Sequence, residues 1–520
     1  MRFSPLILPV VVLSASVAEA KIKLPALVSD HMVLQQEVKA NVWGWAEPNE
    51  KVTVKFADKT ITATTGADKK WSARLEGLKA GTSGDLTITG EDTVVVKDVL
   101  VGEVWVGSGQ SNMEWIVQNA GNPEGEKSAA KFPQIRMFTV QKAPSETLKD
   151  DCVGTWQVCS PETAGTFSAV GYFFSRELHQ KLKVPVGLIH TSWGGTPAEY
   201  WTPPAVLERT PAFKTYIDRW EKLKADYPKA KAAFQEAQAK WKEAADTAKA
   251  ENKPVQPAPR APRGGDAFDR PGCLWNGIVE PVLPYTIQGT IWYQGESNAN
   301  NEEEATRYRA LFPTMILSWR NAWSKAGLLG SDNPEFPFLF VQLANFRQRY
   351  PDPVDSSWAR LREAQLMTLE LPHTGMAVTI DIGETDDIHP KNKQEVGRRL
   401  ALSALAQVYY VDTEFSGPIY SGYQEEDNRI RLSFRNANGL KASDGGKVKG
   451  FEIAGEDRKF VWADVTIDGD HVLISSSQVA KPVAVRYGWA DNPDCNMVND
   501  AGLPASPFRT DNWSGIAVPK

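Results

Sequence analysis

A serine, a histidine and two neighbouring aspartates are placed where they could form a nucleophilic hydrolytic site. Ser111 lies in the small-residue string GSGQSNM, directly after a predicted strand at 103–106. A serine hydroxyl is a weak nucleophile and needs a base that removes its proton. His389 can supply that base, and an aspartate two or three positions earlier, Asp387 or Asp386, could orient the imidazole.

The surroundings of His389 also allow a simpler interpretation. The string DDIHP falls between a predicted strand at 377–382 and a helix expected to begin near Lys391, with Pro390 in its first turn. Acidic residues favour helix starts, so Asp386 or Asp387 could instead cap that helix. The segment taken alone favours neither interpretation.

Two further strand-end loops offer hydrogen-bond donors for a tetrahedral oxyanion. The string TSWGGT at 191–196 offers a glycine N–H, and QGESN at 294–298 offers the side-chain amide of Gln294 or Asn298. Either loop alone is more typical of a turn than of an active site. All four loops follow strands of one α/β region, and this shared placement predicts a site for acyl transfer.

The elements that must position these loops form three regions. Residues 99–411 alternate apolar strands with helical segments, which predicts an α/β fold with a largely parallel sheet. Residues 21–98 and 412–520 show short alternating strands separated by polar turns, which is typical of antiparallel β-sandwich-like regions.

An insertion at 205–265 interrupts the α/β region. Its Ala-, Lys- and Glu-rich part has helical spacing and predicts a hairpin broken at Pro228, followed by a stiff proline-rich linker. A surface excursion without chemistry is the favoured interpretation, and a lid over a cleft is the alternative.

Composition and the N-terminus narrow the class of protein. The 520 residues carry 58 Lys+Arg against 64 Asp+Glu, a net charge of −6, which argues against a nucleic-acid binder. Residues 1–20 have the layout of a signal peptide cleaved after Ala20, and no other segment approaches transmembrane length. We therefore expect a periplasmic or extracellular protein without membrane insertion. Disulfides are then plausible, and they are favoured over a metal site for the cysteines at 152, 159, 273 and 495.

Four strings, in order along the α/β region, resemble the SGNH (GDSL-like) hydrolase superfamily: GEVWVGSGQSNMEW, GLIHTSWGGTPAEYW, GTIWYQGESNA and DIGETDDIHPKNKQEVGRRLAL. The chain is more closely similar to bacterial sialate O-acetylesterase-type proteins and related carbohydrate acetylesterases. The resemblance implies a three-layer SGNH-type domain and a serine esterase that forms an acyl-enzyme. It also implies an acetylated oligo- or polysaccharide as substrate, with no metal or organic cofactor.

The resemblance also implies roles for individual residues. Ser111 would be the nucleophile and would also contribute to the oxyanion hole, with His389 as the general base. A glycine of the WGG turn, Gly195 or its neighbour Gly194, and the amide of Gln294 would complete that hole.

The sequence departs from the superfamily in two places. The third block usually reads Gly-x-Asn-Asp and here reads GESN, so Gln294 is the first choice as amide donor, and Asn298 is second and a candidate substrate contact. The usual Asp-x-x-His spacing selects Asp386, whereas many relatives keep the acid that matches Asp387.

Two other functions compete with the esterase. The eighteen tryptophans suit a non-catalytic carbohydrate-binding protein, and carboxylates such as Glu296 and Asp381 could form a glycosidase pair. Among esterase substrates, acetylated xylan and xyloglucan are alternatives to acetylated sialic acid. Four tryptophans adjoin the motifs, and each could stack on sugar or belong to the core: Trp115, Trp193, Trp201 and Trp292.

Overall fold

The N-terminal strands pair antiparallel and run directly into the central sheet. The computed structural model describes residues 22–265, 267–326 and 335–513, and the predicted signal peptide lies outside these residues. The strands are β1 (Val33–Gln35), β2 (Ala40–Trp45), β3 (Lys51–Phe56), β4 (Lys59–Thr64), β5 (Lys70–Leu75), β6 (Ser83–Thr89) and β7 (Thr93–Gly109). The first part of β7 pairs with β6, and its last part enters the central sheet. The predicted domain boundary at residue 98 therefore falls inside one continuous strand.

The central sheet has the order β13-β12-β11-β7-β10-β8-β9. The added strands are β8 (Ile135–Thr139), β9 (Trp156–Val158), β10 (Val186–His190), β11 (Gly289–Tyr293), β12 (Phe338–Val341) and β13 (Thr374–Ala377). Every pair in this order is parallel except β8 with β9. All residues of β10 to β13 are buried, as expected for strands covered on both faces. The predicted α/β class with a mostly parallel sheet is confirmed.

Helices cover the two faces of this sheet. The α-helices of the described residues, not all of which contact the sheet, are α1 (Ser111–Glu114), α2 (Pro123–Ala129), α3 (Ala169–Leu182), α4 (Pro204–Arg209), α5 (Lys214–Ala250), α6 (Glu302–Lys325), α7 (Ser357–Met367) and α8 (Lys393–Gln407). Trp105 of β7 packs against Phe174 of α3, and Gly289 of β11 is its register partner. Trp292, three residues after Gly289, points to the opposite face and packs against Phe312 of α6. Helices α3 and α6 therefore lie on opposite sides of the sheet.

Side-chain caps fix where the main helices begin. Helices α3, α6, α7 and α8 each start after a serine or asparagine whose side chain accepts a backbone N–H of the first turn. Helix α6 also carries three glutamates in its first turn, where the helix dipole favours negative charge.

The insertion contains one continuous helix, so the predicted hairpin is wrong. Helix α5 runs for 37 residues through Pro228 without a turn. Proline removes the hydrogen bond to the carbonyl four residues earlier, here that of Lys224. Both residues are exposed, so water can solvate that carbonyl and the helix continues.

The C-terminal part is antiparallel β-structure, as predicted. It comprises β14 (Ile419–Glu426), β15 (Arg429–Arg435), β16 (Lys441–Ala442), β17 (Phe451–Ala454), β18 (Val461–Trp462), β19 (Asp464–Asp468), β20 (His471–Ser475), β21 (Ala484–Tyr487), β22 (Met497–Val498) and β23 (Phe508–Arg509). These strands form two four-stranded sheets and one two-stranded sheet around a core that includes Ile430, Ile453 and Val485.

All four cysteines lie within the described residues and no disulfide joins any two of them, so the expected disulfides are not formed. Three of them are buried, and Cys495 is partly buried. Burial raises the pKa of Cys152, Cys159 and Cys495 to about 12, which keeps these thiols protonated. Within the described ranges, no helix is both long and apolar enough to span a bilayer.

Candidate active site

Ser111 lies at the point where the strand order of the sheet changes direction. Strand β7 has β10 on one side and β11 on the other, and ligands of open α/β sheets bind beyond the carboxyl edge at such a point. Gly109 has φ +134°, and a Cβ there would lie 2.1 Å from the carbonyl oxygen of Tyr293. Only glycine fits this turn, which brings Ser111 to the first position of α1.

The structure brings Ser111 and His389 together across 278 residues of sequence. The Nε2 atom of His389 lies 2.9 Å from the Oγ of Ser111, and both side chains are partly exposed. On the other side of the ring, Oδ1 of Asp387 lies 3.4 Å from Nδ1 and accepts the backbone N–H of His389 at 2.9 Å. This is the order of groups that a serine nucleophile, its base and an orienting acid require.

Asp386 is exposed, and within the described residues no contact joins it to His389. Of the two aspartates, the geometry therefore favours Asp387. Helix α8 begins at Lys393, later than expected, and Asn392 caps it. Neither aspartate is the cap, and Pro390 precedes the first turn instead of lying in it.

Trp115 forms one wall beside the base. Its ring stacks on the His389 imidazole with centroids 4.8 Å apart and planes inclined by 12°. Burial, followed by the positive charge of Lys393, lowers the pKa of His389, and Asp387 opposes this shift. Neutral imidazole, the form that acts as a base, therefore persists to lower pH.

A buried polar cluster lies behind the nucleophile. The Asn112 amide donates to Oε1 of Glu296 at 2.5 Å and to the carbonyl oxygen of Ile388 at 3.0 Å. Its oxygen accepts from Nζ of Lys393 at 2.5 Å. Burial lowers the pKa of Lys393 to about 7, against the attraction of Glu296, Asp387 and Glu384. Burial raises the pKa of Glu296, whose other oxygen lacks a hydrogen-bond partner.

The predicted side-chain donors to the oxyanion are turned away from Ser111. Gln294 is fully buried, and its amide donates to Asn298 at 2.8 Å and to the carbonyl oxygen of Thr196 at 3.3 Å. Both of its N–H groups are therefore occupied. Asn298 is also buried, and its amide donates to Glu199 at 3.0 Å. This arrangement disfavours Gln294 as an oxyanion donor, and the expected roles of Gln294 in the oxyanion hole and of Asn298 in substrate binding stay predictions.

The two glycines of the turn after β10 differ in whether their N–H groups are hydrogen-bonded. The N–H of Gly194 donates to Oε2 of Glu114 at 2.6 Å, and Lys142 donates to the other oxygen of that carboxylate at 2.5 Å. Gly195 is exposed with φ +74°, and no hydrogen bond of the described residues uses its N–H or that of Ser111. These two N–H groups remain available to an oxyanion.

The other sequence candidates belong to the interior or to ion pairs. Asp381 forms a bidentate salt bridge with Arg399 and Glu296 is buried, so this pair does not form a glycosidase site. Trp201 and Trp292 are fully buried core residues. Trp193 is partly buried and packs on Phe268.

Sequence reasoning missed Asn112, Glu114 and Lys393. Asn112 and Glu114 lie one and three positions after Ser111 on the same short helix, and Lys393 lies four positions after His389. Their proximity in sequence to the candidate nucleophile and base was the available signal. Their contacts depend on how the loops meet in space.

We predict that the acid limb of kcat/KM for p-nitrophenyl acetate has its midpoint below the ordinary imidazole value of about 6.5. Lys393 is protonated in that range because its pKa is about 7, so its charge acts on His389 during the titration. Lys393→Gln keeps a donor for Asn112 and removes the charge, so the midpoint should rise by roughly 0.5–1 pH unit.

Lys391→Gln removes a charge from an exposed side chain near His389 and serves as the matched control. The midpoint of the acid limb in this variant should equal that of the unmodified protein. An unchanged midpoint in Lys393→Gln would contradict the electrostatic role of Lys393, whatever its effect on stability.

Comparisons with known proteins identify the family of this chain. Residues 101–250 and 276–406 match the carbohydrate esterase family described as sialic acid-specific acetylesterase. The chain is 30% identical to sialate O-acetylesterase of Mus musculus, covering 94% of each chain. It is 27% identical to the Homo sapiens sialate O-acetylesterase, over 97% of this chain and 95% of the human protein.

A solved structure is similar over nearly the whole chain. It is a carbohydrate acetylesterase from Xanthomonas citri, with a TM-score of 0.79 and 37% identity, covering 95% of this chain and all of the other. The resemblance seen in the four sequence strings is confirmed. The chain belongs to the sialic acid-specific acetylesterase family of carbohydrate esterases, and it is a carboxylic ester hydrolase.

Proposed function

We propose that this protein removes O-acetyl groups from carbohydrate through an acyl-enzyme formed on Ser111. The observation that carries the proposal is the 2.9 Å contact between the Ser111 hydroxyl and Nε2 of His389 at the carboxyl edge of the sheet. The similarity to sialate O-acetylesterases and to a carbohydrate acetylesterase supports acetylated sugar as the substrate class.

The reaction proceeds in two displacements. His389 takes the proton of Ser111 as Oγ attacks the acetyl carbonyl, and the N–H groups of Ser111 and Gly195 stabilise the oxyanion. His389 then protonates the departing sugar oxygen, which leaves as the free hydroxyl. Water enters, gives a proton to His389 and attacks the acyl group. As the bond to Ser111 breaks, His389 returns that proton to Oγ, and acetate leaves. Asp387 stabilises the imidazolium in both steps.

The sugar is either acetylated sialic acid or an acetylated plant polysaccharide such as xylan or xyloglucan. The mouse and human relatives support the sialic acid ester. The two classes differ in charge, because sialic acid carries a carboxylate and the polysaccharides are neutral around the acetyl group.

We also propose that the chain is exported and acts in the periplasm or outside the cell. The support is the sequence of residues 1–20, with its apolar run at 6–13 and its Ala-Glu-Ala end. Mass spectrometry of the protein recovered from the periplasm or medium should give an N-terminus at Lys21. Val11→Asp in the apolar run should retain the chain in the cytoplasm, and an intact Met1 on exported protein would contradict cleavage.

Ser111→Ala should lower kcat/KM for p-nitrophenyl acetate by about 10⁴-fold or more, because no other group forms the acyl-enzyme. Ser108→Ala is the matched control, since Ser108 is buried in β7 and no described residue forms a hydrogen bond with its hydroxyl. It should retain most of the activity. Comparable turnover in Ser111→Ala and Ser108→Ala would refute the nucleophile.

Asp387→Asn should lower kcat by about 10²-fold or more, because the amide cannot stabilise the imidazolium as a carboxylate does. The loss should be smaller than for a fully buried acid, since the Asp387 side chain is 41% exposed. Asp386→Asn changes the neighbouring exposed carboxylate and should have little effect. The reverse order in single-turnover acetate release would assign the acid to Asp386.

A further inference from the structure

A polar cavity of about 280 Å³ separates the inserted helix from the active-site loops. Helix α5 supplies one wall with Tyr216, Arg219 and Trp220. The opposite wall includes Gly195, from the loop after β10, and Ser297, from the loop after β11. The insertion, expected from the sequence to be a surface excursion, therefore faces the loops that surround the nucleophile.

Two residues that line the cavity belong to loops that contact Ser111 and its neighbour Gln110. A Cβ built on Gly194 would lie 3.2 Å from the Cβ of Ser111, and the following residue, Gly195, lines the cavity. The N–H of Ser297 donates to Oε1 of Gln110, the residue before the nucleophile, at 3.3 Å. A sugar whose acetyl group reaches Ser111 can therefore extend into this space.

Both cations of the cavity are already bonded to carboxylates. Arg219 donates to Glu199 at 2.6 Å and to Glu304 at 2.9 Å. Arg263 donates to Asp269 at 2.6 Å and to the hydroxyl of Tyr200. Among the described residues that line the cavity, three carboxylates thus face two guanidinium groups.

This charge arrangement is unfavourable for an anionic sugar. A carboxylate on the ligand needs a cation that is free to pair with it, and here it would meet the carboxylates that already hold Arg219 and Arg263. Sugar hydroxyls have no such requirement, since they donate to the remaining carboxylate lone pairs and accept from N–H groups.

A second observation points to a ligand rich in hydroxyls. Tyr216 lines the cavity and is 1% exposed, yet its hydroxyl has no hydrogen-bond partner among the described residues. A buried hydroxyl without a partner is costly, and a ligand hydroxyl would satisfy it. Trp220, on the next turn of α5, adds an aromatic surface on which a sugar ring can pack.

We propose that this cavity is the subsite for the sugar that carries the acetyl group, and that it selects a neutral acetylated sugar over an acetylated sialic acid. This inference rests on the proposed function, and it adds that the preferred acetylated sugar is uncharged. Helix α5 is then part of the specificity site.

The test compares acetate release from 9-O-acetyl-N-acetylneuraminic acid with release from its methyl ester, at low ionic strength. The two sugars differ in the carboxylate charge and in one methyl group, and loss of the charge should make kcat/KM about tenfold higher for the methyl ester. Xylose tetraacetate, a neutral sugar, should also exceed the free acid. Equal values for the free acid and its ester, or a preference for the acid, would overturn the inference.

Glu304→Gln tests the source of the discrimination. It removes one negative charge and keeps an oxygen for Arg219, so the ratio of free acid to methyl ester should rise roughly three- to tenfold. Glu303→Gln removes a charge from the same turn of α6 but outside the cavity, where the side chain is 77% exposed, and should leave the ratio unchanged. Equal ratios in the two variants would contradict the role of the cavity charges.

Hydrolysis of p-nitrophenyl acetate by the unmodified protein separates the two proposals. This ester does not need a sugar subsite, so its hydrolysis reports the chemistry at Ser111 alone. Activity on it without discrimination between the sialic acid substrates overturns only the subsite. Absence of activity on all of these acetyl esters overturns the proposed function itself.

Discussion

The side chain of Asn112 makes the contacts on which the arrangement of the active site depends. It follows the nucleophile directly, and its amide joins the loop after β11, through Glu296, to the loop that carries the base, through the carbonyl oxygen of Ile388. Its oxygen receives the ammonium group of Lys393 at the start of α8. One buried residue thus fixes the nucleophile relative to the base, which no local interaction could do across so long a stretch of chain. Replacement of Asn112 would remove the hydrogen bonds to both the loop after β11 and the loop that carries His389.

Burial of Lys393 and Glu296 is unfavourable unless hydrogen bonds compensate, and Asn112 supplies one to each. The ammonium group also lies 5.5 Å from the ring centroid of Tyr293 and 6.0 Å from that of Trp115. Trp115 in turn stacks on the imidazole. The ring of Trp115 therefore contacts both the Lys393 ammonium group and the His389 imidazole. The positive charge is close enough to lower the pKa of His389, and Lys393 is fully buried away from solvent ions. The buried cluster of Asn112, Glu296 and Lys393 thus joins the loops of the site, and its Lys393 charge also lowers the pKa of His389.

Local patterns predicted the parts of this protein that local interactions determine. Apolar strands followed by small-residue loops predicted the parallel sheet. Because Ser111 and His389 follow such strands, the pattern also predicted that they meet at one edge of the sheet. The orientation of Gln294 and Asn298 could not be predicted, because a buried amide turns toward whichever carbonyls and carboxylates the fold brings near. The continuation of α5 through Pro228 could not be predicted for a similar reason. The cost of a proline in a helix depends on whether water can reach the carbonyl group, four residues earlier, that loses its hydrogen bond. Motif positions were thus predictable, and side-chain directions were not.

The C-terminal β-region supports the loop that carries His389, the proposed base. Asn492 donates to the carbonyl oxygen of Arg347 at 2.6 Å and to the hydroxyl of Thr385 at 3.1 Å, four residues before His389. Its oxygen accepts from Asn345, whose own oxygen accepts the N–H of Gly383 at 2.7 Å. The loop between β13 and α8 is long and lacks regular structure, so its backbone groups need partners from elsewhere. The C-terminal region provides such partners, and in this arrangement Nε2 of His389 lies 2.9 Å from the hydroxyl of Ser111 although His389 belongs to an irregular loop.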